Sequence, residues 1–246
     1  MFKFNRILCF HSVSKSGFFI KKLDWLLWLL KLFKVNIISL EVMLKEKPDG
    51  RNIALTFDDG YTDNFIQLLP YLNSHQLHAT LFIGPKLCLN PISFSEKIDL
   101  RLKNLDIGNE RDLADWIKDG MGVGFHSCTH LDYSLLSEIE VEDDLIKGTE
   151  LFEQLTGFKP LFFAFPFGNI PHNFSHYQGV ASRVGLRFSL TVNWGDVSNS
   201  PSDFLINRIC IGDNDYVIWA FFKSVGFLDW YYYMRKIKNE QKIPII

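Results

Sequence analysis

Short apolar segments rich in β-favouring residues alternate with amphipathic segments along the chain, and this alternation constrains the fold more than any other feature. Repeated alternation of strand and helix predicts a mostly parallel sheet, either a barrel or a doubly wound sheet. No repeat, low-complexity tract or linker interrupts the pattern, so 1–246 is expected to form a single domain. The candidate strands are Ile7–Phe10, Val35–Leu40, Ile53–Phe57, Ala79–Ile83, Gly122–Phe125, Leu161–Phe165, Phe188–Val192 and Leu205–Ile211.

Helical patterns lie between most of these strands. In 63–76 apolar residues recur at helical spacing, and Pro70 is expected to kink the helix. Ser137 and Glu140 fit a capping box at the start of another helix. The longest break in the alternation, 85–109, is predicted to be an insertion loop or short helices over one end of the sheet.

Composition excludes several classes of protein. Apolar residues make up 47% of the 246 residues, enough for a large core, which excludes a disordered or fibrous chain. A net charge of −2 without a long basic block argues against a nucleic-acid binder. The four cysteines show no CxxC spacing and are predicted to be reduced, mostly buried thiols: Cys9, Cys88, Cys128 and Cys210.

No segment has the length and composition of a signal peptide or a membrane span. Few apolar residues precede His11, so we expect a cytoplasmic protein. The apolar stretch 23–35 is too short to cross a bilayer and is predicted to be a helix packed on the core. In 217–233 aromatic residues lie beside basic ones, which predicts either a helix covering the barrel or a surface that contacts lipid headgroups.

Two adjacent carboxylates, Asp58 and Asp59, follow an apolar strand and precede Gly60. A glycine there can turn the chain so that both acids reach one cleft, although side chains of successive strand residues point to opposite faces. One carboxylate could then bind a metal while the other accepts a proton. The alternative interpretation is an acidic surface turn.

Two further segments carry possible chemistry. His126 and His130 are four residues apart, a spacing that places both on one face of a helical turn, where they can bind one metal ion. Such a pair also occurs by chance. An apolar strand closes in Pro166–Gly168, which is either a simple turn or a backbone N–H donor to a developing oxyanion.

Taken together and in this order, the three segments resemble the polysaccharide deacetylases, carbohydrate esterase family 4. The segments are TFDDG at 56–60, HSCTH at 126–130 and FAFPFG at 163–168. Similarity extends beyond them to an N-terminal element like the family's YHSVS, to a strand that resembles its kATFF and to a late element that resembles its lpRI. These three lie at 10–14, 78–82 and 205–209.

The resemblance implies a distorted (β/α) barrel, usually of seven strands, and a metal-dependent N-deacetylase. By position, Asp59, His126 and His130 would hold a divalent ion, most often zinc, with cobalt, nickel, manganese or iron as alternatives. Asp58 would be the general base on the attacking water, and the backbone N–H of Phe167 would stabilise the oxyanion. Independently, these residues follow candidate strands, and barrel enzymes keep their chemistry at that end.

Two positions depart from the family pattern. Many members have an arginine that orients the base where this chain has Ala164, and most have a C-terminal general-acid histidine, whereas no histidine follows His176 here. A circularly permuted branch, which includes exopolysaccharide deacetylases, takes that histidine from the N-terminal strand. By this resemblance His11 is assigned as general acid, and Arg208 and Asp196 are candidates for orienting catalytic groups.

Three functions follow from these expectations. The first is removal of an N-acetyl group from an amino sugar in a glycan or glycan precursor, with a nucleotide-linked or lipid-linked sugar of surface-polysaccharide assembly as the expected substrate. The second is removal of a formyl or O-acetyl group by the same centre. The third is a barrel that binds glycan without catalysis, for which the missing C-terminal histidine is the single argument.

Overall fold

Each candidate strand is present in the computed structural model, which describes residues 3–14, 18–89 and 107–240. The predicted strand 35–40 is shortened to two residues because a helix begins at Leu40, and the predicted strand 205–211 is split into two. The strands are β1 (Phe4–Phe10), β2 (Asn36–Ile37), β3 (Arg51–Phe57), β4 (Ala79–Ile83), β5 (Gly122–Phe125), β6 (Phe162–Ala164), β7 (Phe188–Leu190), β8 (Leu205–Ile206) and β9 (Ile209–Cys210).

These strands form one curled parallel sheet in the order β8-β7-β6-β5-β4-β3-β1-β9, with β2 pairing on β3 outside this path. The edge strands β8 and β9 belong to one extended segment and are separated by Asn207 and Arg208. That segment pairs with β7 through Leu205–Ile206 and with β1 through Ile209–Cys210. The path contains eight strands. If β8 and β9 are counted as one strand, the number is seven, as expected for a distorted (β/α) barrel.

Helices surround the sheet, as the alternation predicts. Ser137 and Glu140 form the predicted capping box at the start of α6. The expected irregularity near Pro70 is a π-helical turn over Asn64–Leu68 that leads into α3, with the proline in the first turn of α3. The helices are α1 (Ile20–Leu32), α2 (Leu40–Glu46), α3 (Leu69–His75), α4 (Pro85–Leu89), α5 (Glu110–Lys118), α6 (Glu138–Thr156), α7 (Phe174–Arg183), α8 (Val217–Ser224) and α9 (Asp229–Glu240).

The structure also tests the expectations for the apolar stretch 23–35 and for the insertion 85–109. The apolar stretch 23–35 is largely α1, which packs on the core as predicted. Within the described part of the chain, no helix combines the length and apolarity needed to cross a bilayer. Of the predicted insertion 85–109, α4 occupies the start, and 90–106 lies outside the described residues.

Side chains on alternate strand positions enter two separate cores. Leu8, Leu55 and Phe163 belong to the larger core, which the sheet shares with the surrounding helices. Ile7, Ala54 and their equivalents on the other strands form the smaller core on the opposite face of the sheet, closed by α2. Because side chains alternate along a strand, this second face continues through every second residue towards the carboxyl ends.

That inner face changes from apolar to polar along its length. On β1 it runs from Ile7 through Cys9 to His11, and on β3 from Ala54 to Asp58. Hydrogen-bonded polar side chains therefore replace packed apolar ones at the carboxyl end of the sheet. Barrel enzymes keep their chemistry at this end, so the polar side chains here are candidates for a functional site.

Candidate active site

Asp58 and Asp59 follow β3 and are both buried. Asp58 stays on the inner face because its backbone N–H donates to the carbonyl of Phe10 (2.9 Å) and so extends the pairing of β3 with β1. Asp59 would point to the other face of the sheet. It adopts a left-handed conformation instead (φ +74°), as does Gly60 (φ +73°), and this turn brings both carboxylates to one place.

His126 and His130 approach the same carboxylate from the loop after β5. His130 Nε2 lies 3.1 Å and His126 Nε2 3.4 Å from Asp59 Oδ1, and all three side chains are buried. The expected helical turn is wrong: residues 126–130 form an irregular turn in which Ser127 (φ +61°) and His130 (φ +59°) are left-handed. The two histidines still converge, because the turn rather than a helix folds His130 back.

The three side chains fit a divalent metal ion. Nitrogen and oxygen ligands about 2.0–2.2 Å from zinc lie roughly 3.0–3.5 Å from one another, which matches the spacing around Asp59 Oδ1. This oxygen is buried and has no hydrogen-bond partner among the described residues, a costly state unless a cation satisfies it. His126 Nδ1 lies 2.7 Å from the Ala164 carbonyl, which can only accept, so the lone pair is left on Nε2. His130 Nδ1 has no partner within the same ranges.

Arg208 supplies the cation that faces Asp58. Its guanidinium makes two hydrogen bonds to the carboxylate, 2.6 Å to Oδ1 and 2.7 Å to Oδ2, and the arginine is fully buried. Burial alone would raise the pKa of Asp58, but Arg208 and the nearby His126 outweigh it and lower that pKa. Asp58 is therefore held in its ionised form.

The two candidates for orienting catalytic groups have different positions. Arg208 binds both oxygens of Asp58, the contact that the resemblance expects from an arginine at the position of Ala164. Its position is set by the break between β8 and β9 and by a bond from its N–H to the Asn193 carbonyl (3.1 Å). Asp196 is not brought to the site: its carboxylate accepts the backbone N–H of Asn5 (2.8 Å), at the amino end of β1.

His11 lies just after β1, beside the two acids. Burial would lower its pKa, but the nearby Asp59 carboxylate, Cys210 and Asp58 outweigh this effect and raise it. The loop that carries His11 is held by two neighbouring side chains. Asp63 accepts the backbone N–H of Val13 (3.1 Å), and Asn64 Nδ2 donates to the His11 carbonyl (3.0 Å).

Asp63 opens the π-helical turn from its N-cap position, but its side chain makes no capping hydrogen bond and instead holds the loop after β1. The sequence alone hardly indicates that Asp63 anchors a loop. An acid six residues after the end of β3 is as consistent with a helix cap as with a loop anchor.

Phe167 lies at the mouth of the site. Its backbone is left-handed (φ +59°), and hydrogen bonds on either side fix the turn, from Gly168 N–H to the Phe165 carbonyl (2.9 Å) and from Asn169 N–H to the Pro166 carbonyl (3.2 Å). The Phe167 ring is 41% exposed, and its centroid lies 4.7 Å from that of His130. An aromatic face therefore stands open beside the candidate metal ligands.

Sequence reasoning missed the residue that supports the histidine turn. Asp144, on α6, accepts the backbone N–H of Cys128 (3.2 Å) and the hydroxyl of buried Tyr133 (2.6 Å). Burial raises the pKa of Asp144. The sequence contains one indication of this role. Asp144 shares the buried face of an amphipathic helix with Val141 and Leu145, where a carboxylate without a partner would be costly.

Comparison with known proteins decides the family. Residues 45–189 match the family model described as polysaccharide deacetylase, which includes the TFDDG, HSCTH and FAFPFG segments. The chain belongs to the polysaccharide deacetylase family. Membership agrees with the curled parallel sheet and with the placement of all three motifs at its carboxyl end.

Curated relatives of this deacetylase-family chain include proteins from two bacilli. It is 23% identical over 171 residues to the Bacillus subtilis protein YxkH, a match that covers 70% of this chain and 55% of the relative. It is 30% identical over 160 residues to a peptidoglycan-N-acetylglucosamine deacetylase of Bacillus cereus, a match that covers 64% of this chain and 50% of the relative. The chain thus spans about half the length of these curated relatives.

Solved structures share the fold over most of the chain. IcaB from Ammonifex degensii superposes with a TM-score of 0.70 at 18% identity, covering 90% of this chain and 98% of that one. The Streptococcus pyogenes deacetylase PplD, in complex with acetate, superposes with a TM-score of 0.68 at 18% identity, covering 88% and 96%. At such identities the likeness shows the fold.

Proposed function

We propose that this chain is a metal-dependent hydrolase that removes an N-acetyl group from an amino sugar in a glycan or glycan precursor. The observation that carries the proposal is the convergence of Asp59, His126 and His130 on one buried carboxylate oxygen that has no hydrogen-bond partner in the described part of the chain. An ionised carboxylate, Asp58, lies beside them, with its Oδ2 4.0 Å from His126 Nε2. Membership of the polysaccharide deacetylase family supports the substrate class.

Asp59, His126 and His130 would hold the ion, with zinc favoured by the nitrogen and oxygen donors and cobalt, nickel, manganese or iron as alternatives. When bound, the ion would polarise the acetamide carbonyl and make the attacking water more acidic. Three protein ligands leave coordination positions open for these partners, as a catalytic centre requires.

Asp58 accepts the proton of the attacking water. Arg208 fixes both carboxylate oxygens, so the base keeps one orientation and does not rotate away from the reacting atoms. The backbone N–H of Phe167 donates to the oxyanion that develops on the carbonyl oxygen. The exposed Phe167 ring forms an apolar face for the sugar or its acetyl methyl group.

His11 donates a proton to the leaving nitrogen as the C–N bond breaks, which yields acetate and a free amino sugar. The carboxylates around His11 favour its protonated form, the form that a general acid needs. This role replaces that of the C-terminal histidine, which the sequence lacks.

Replacement of His11 by alanine tests this role. We expect His11→Ala to lower turnover roughly 100-fold or more while the tightly bound metal stays in place, because the imidazole acts on the leaving group. Steady-state acetate release and elemental analysis measure the two effects. His176→Ala is the matched control, since His176 lies near Glu138 and Glu142 instead (3.7 Å each). Unchanged turnover in His11→Ala would remove His11 from the mechanism.

The same centre could attack a formyl or O-acetyl carbonyl, and product analysis on matched N-acetyl, N-formyl and O-acetyl sugars separates these reactions. N-acetyl is favoured because the Bacillus cereus relative is named a peptidoglycan-N-acetylglucosamine deacetylase. A glycan-binding barrel without catalysis is disfavoured. Arg208 can replace the arginine that is absent at Ala164, and His11 can replace the absent C-terminal histidine.

We further propose that the enzyme works in the cytoplasm at a membrane surface, on a lipid-linked precursor. Free cysteines support a reducing compartment. Exposed tryptophans on α1 and α8 support lipid contact: Trp25 is 60%, Trp28 53% and Trp219 50% exposed, and the two helices meet where Phe33 and Phe221 lie 4.8 Å apart. Co-sedimentation with anionic vesicles tests this, and protein that stays in the supernatant would contradict it.

Metal analysis tests the central proposal. Wild-type protein is expected to hold about one divalent ion per chain more than His126→Ala, and to release acetate from N-acetylated sugars, which His126→Ala should not do. Elemental analysis and an acetate assay on the two proteins, purified side by side, provide the measurement. A wild type that binds no divalent ion after incubation with several of them would overturn the hydrolase mechanism.

A further inference from the structure

A second group of metal-binding side chains lies outside the Asp59 centre. Cys9 on β1 and Cys210 on β9 are register partners in neighbouring parallel strands, so their side chains leave the sheet on the same face. His11, two residues after Cys9, continues that face of β1. The Cys9 Sγ, the Cys210 Sγ and a ring nitrogen of His11 all lie within 4.8 Å of one another.

The donors differ in kind from those at the Asp59 centre. Two sulfurs and an imidazole form a soft set that selects thiophilic ions such as Zn²⁺, Cd²⁺ or Cu⁺. Around zinc, sulfur ligands at about 2.3 Å and nitrogen ligands at about 2.0–2.1 Å lie roughly 3.3–3.8 Å apart, so small side-chain movements complete the contact. Cys9 is fully buried, while His11 and Cys210 are partly exposed and leave a route of entry.

The surroundings favour a thiolate at this place. A hydrogen bond from Cys9 lowers the pKa of Cys210 against the effect of burial, and nearby His11 and Arg208 lower it further. Cys9 Sγ also lies 3.3 Å from Asp58 Oδ2, so the thiol pair borders the proposed base as well as the proposed general acid. An ion bound here would take His11 out of the proton-transfer chain.

We propose that Cys9, His11 and Cys210 form a second, thiophilic metal site whose occupation inhibits the enzyme by sequestering His11. The proposal that a metal ion binds here depends on the positions of the three donors alone. The proposal that the bound ion inhibits the enzyme, its inhibitory half, rests on the proposed function of His11 as general acid.

Cobalt provides a probe that separates the two centres. Reduced, metal-free protein is titrated with Co²⁺ without oxygen, and sulfur ligation produces an intense near-ultraviolet charge-transfer band that oxygen and nitrogen ligands cannot give. We expect the wild type to show the band and to bind about two ions per chain. Cys210→Ser should lose the band and keep about one ion, and His126→Ala should keep the band.

Cys128→Ser is the matched control, because Cys128 is also partly buried and lies near the site but outside the cluster. It should keep the band, and Cys9→Ser should lose it, with circular dichroism confirming that each variant folds. A folded wild type without the band, or a band of unchanged intensity in Cys210→Ser, would overturn the second site.

Activity separates this proposal from the function it deepens. Cd²⁺ added to protein whose Asp59 centre is already loaded should inhibit acetate release in wild type and Cys128→Ser at least tenfold more strongly than in Cys210→Ser. Equal inhibition of all three would overturn the inhibitory half. If no protein releases acetate while the band behaves as expected, the proposed deacetylase function fails and the metal site stands.

Discussion

Arg208 shows how one side chain can restore what a motif has lost. It lies at the break between β8 and β9, above the ring of Phe82 on the inner face (5.4 Å), and binds both oxygens of Asp58. A planar guanidinium can hold a carboxylate in this two-point way, whereas an ammonium provides one point charge. The orientation of Asp58, the proposed base, therefore depends on the shape of the Arg208 side chain as well as on its charge.

Arg208→Lys tests this dependence. We expect kcat to fall about 10–100-fold with KM and metal content nearly unchanged, because lysine keeps the positive charge and loses the second contact that orients the base. Steady-state kinetics and elemental analysis measure both. Arg183→Lys is the control, since Arg183 is exposed and pairs with Glu142 on the surface. A rise in KM alone, or a loss of metal, would show that Arg208 acts on something other than the base.

Backbone strain also concentrates at the site. Of the seven non-glycine residues with positive φ in the described ranges, three lie at helix ends: Lys34, Lys47 and Gln76. The other four belong to the three motifs: Asp59, Ser127, His130 and Phe167. Left-handed backbone is costly for residues with a side chain, so it persists where the surrounding structure enforces it. Three of these four are proposed to bind the metal or the oxyanion.

At the level of elements, the sequence predicted that the segments after β3 and β5 meet at one site, but not the backbone conformation of the turn at 126–130. β4 and β5 have the predicted bounds, and α6 begins at the predicted capping box, because apolar periodicity and a capping residue define these elements locally. The turn at 126–130 was predicted as helical because spacing alone cannot distinguish a helix from an irregular turn. Asp144 lies 14 residues beyond His130, and no local rule links it to that turn.

Asp144→Ala tests the support that α6 gives to the turn that carries the proposed metal ligands His126 and His130. The change leaves the Cys128 N–H and the buried Tyr133 hydroxyl without an acceptor, so we expect a loss of about 1–3 kcal/mol in the free energy of unfolding. Metal affinity should fall about 10–100-fold, because the turn no longer fixes its histidines. Denaturant unfolding and a chelator competition provide the two measurements.

Asp143→Ala is the control for this variant, since the neighbouring Asp143 is exposed and pairs with Lys147 one turn along the helix. It should change both quantities little. If Asp144→Ala binds metal as tightly as the wild type, α6 stabilises the fold without positioning the ligands.

At the level of the whole molecule, the barrel explains why residues far apart in sequence share one site. Strand alternation predicted the parallel sheet, and period two along β1 and β3 puts His11 and Asp58 on its inner face. The sequence named both Arg208 and Asp196 as candidate orienting residues and did not distinguish the one that meets Asp58. Arg208 meets it because 205–210 pairs with both sheet edges, a long-range pairing that the local pattern of one strand does not contain.

Metal removal should then destabilise the molecule as a unit, because Asp59 follows β3 while His126 and His130 follow β5. An ion that binds the folded chain and not the unfolded one adds about 2.7 kcal/mol at a concentration 100-fold above its Kd. For a chain of this size that corresponds to a Tm higher by roughly 5–10 °C. We expect this rise when zinc is added to metal-free Cys210→Ser protein, which lacks a donor of the second cluster. Adding His126→Ala to that background should abolish the rise, and a Tm that zinc leaves unchanged in Cys210→Ser alone would show that the Asp59 centre binds no ion.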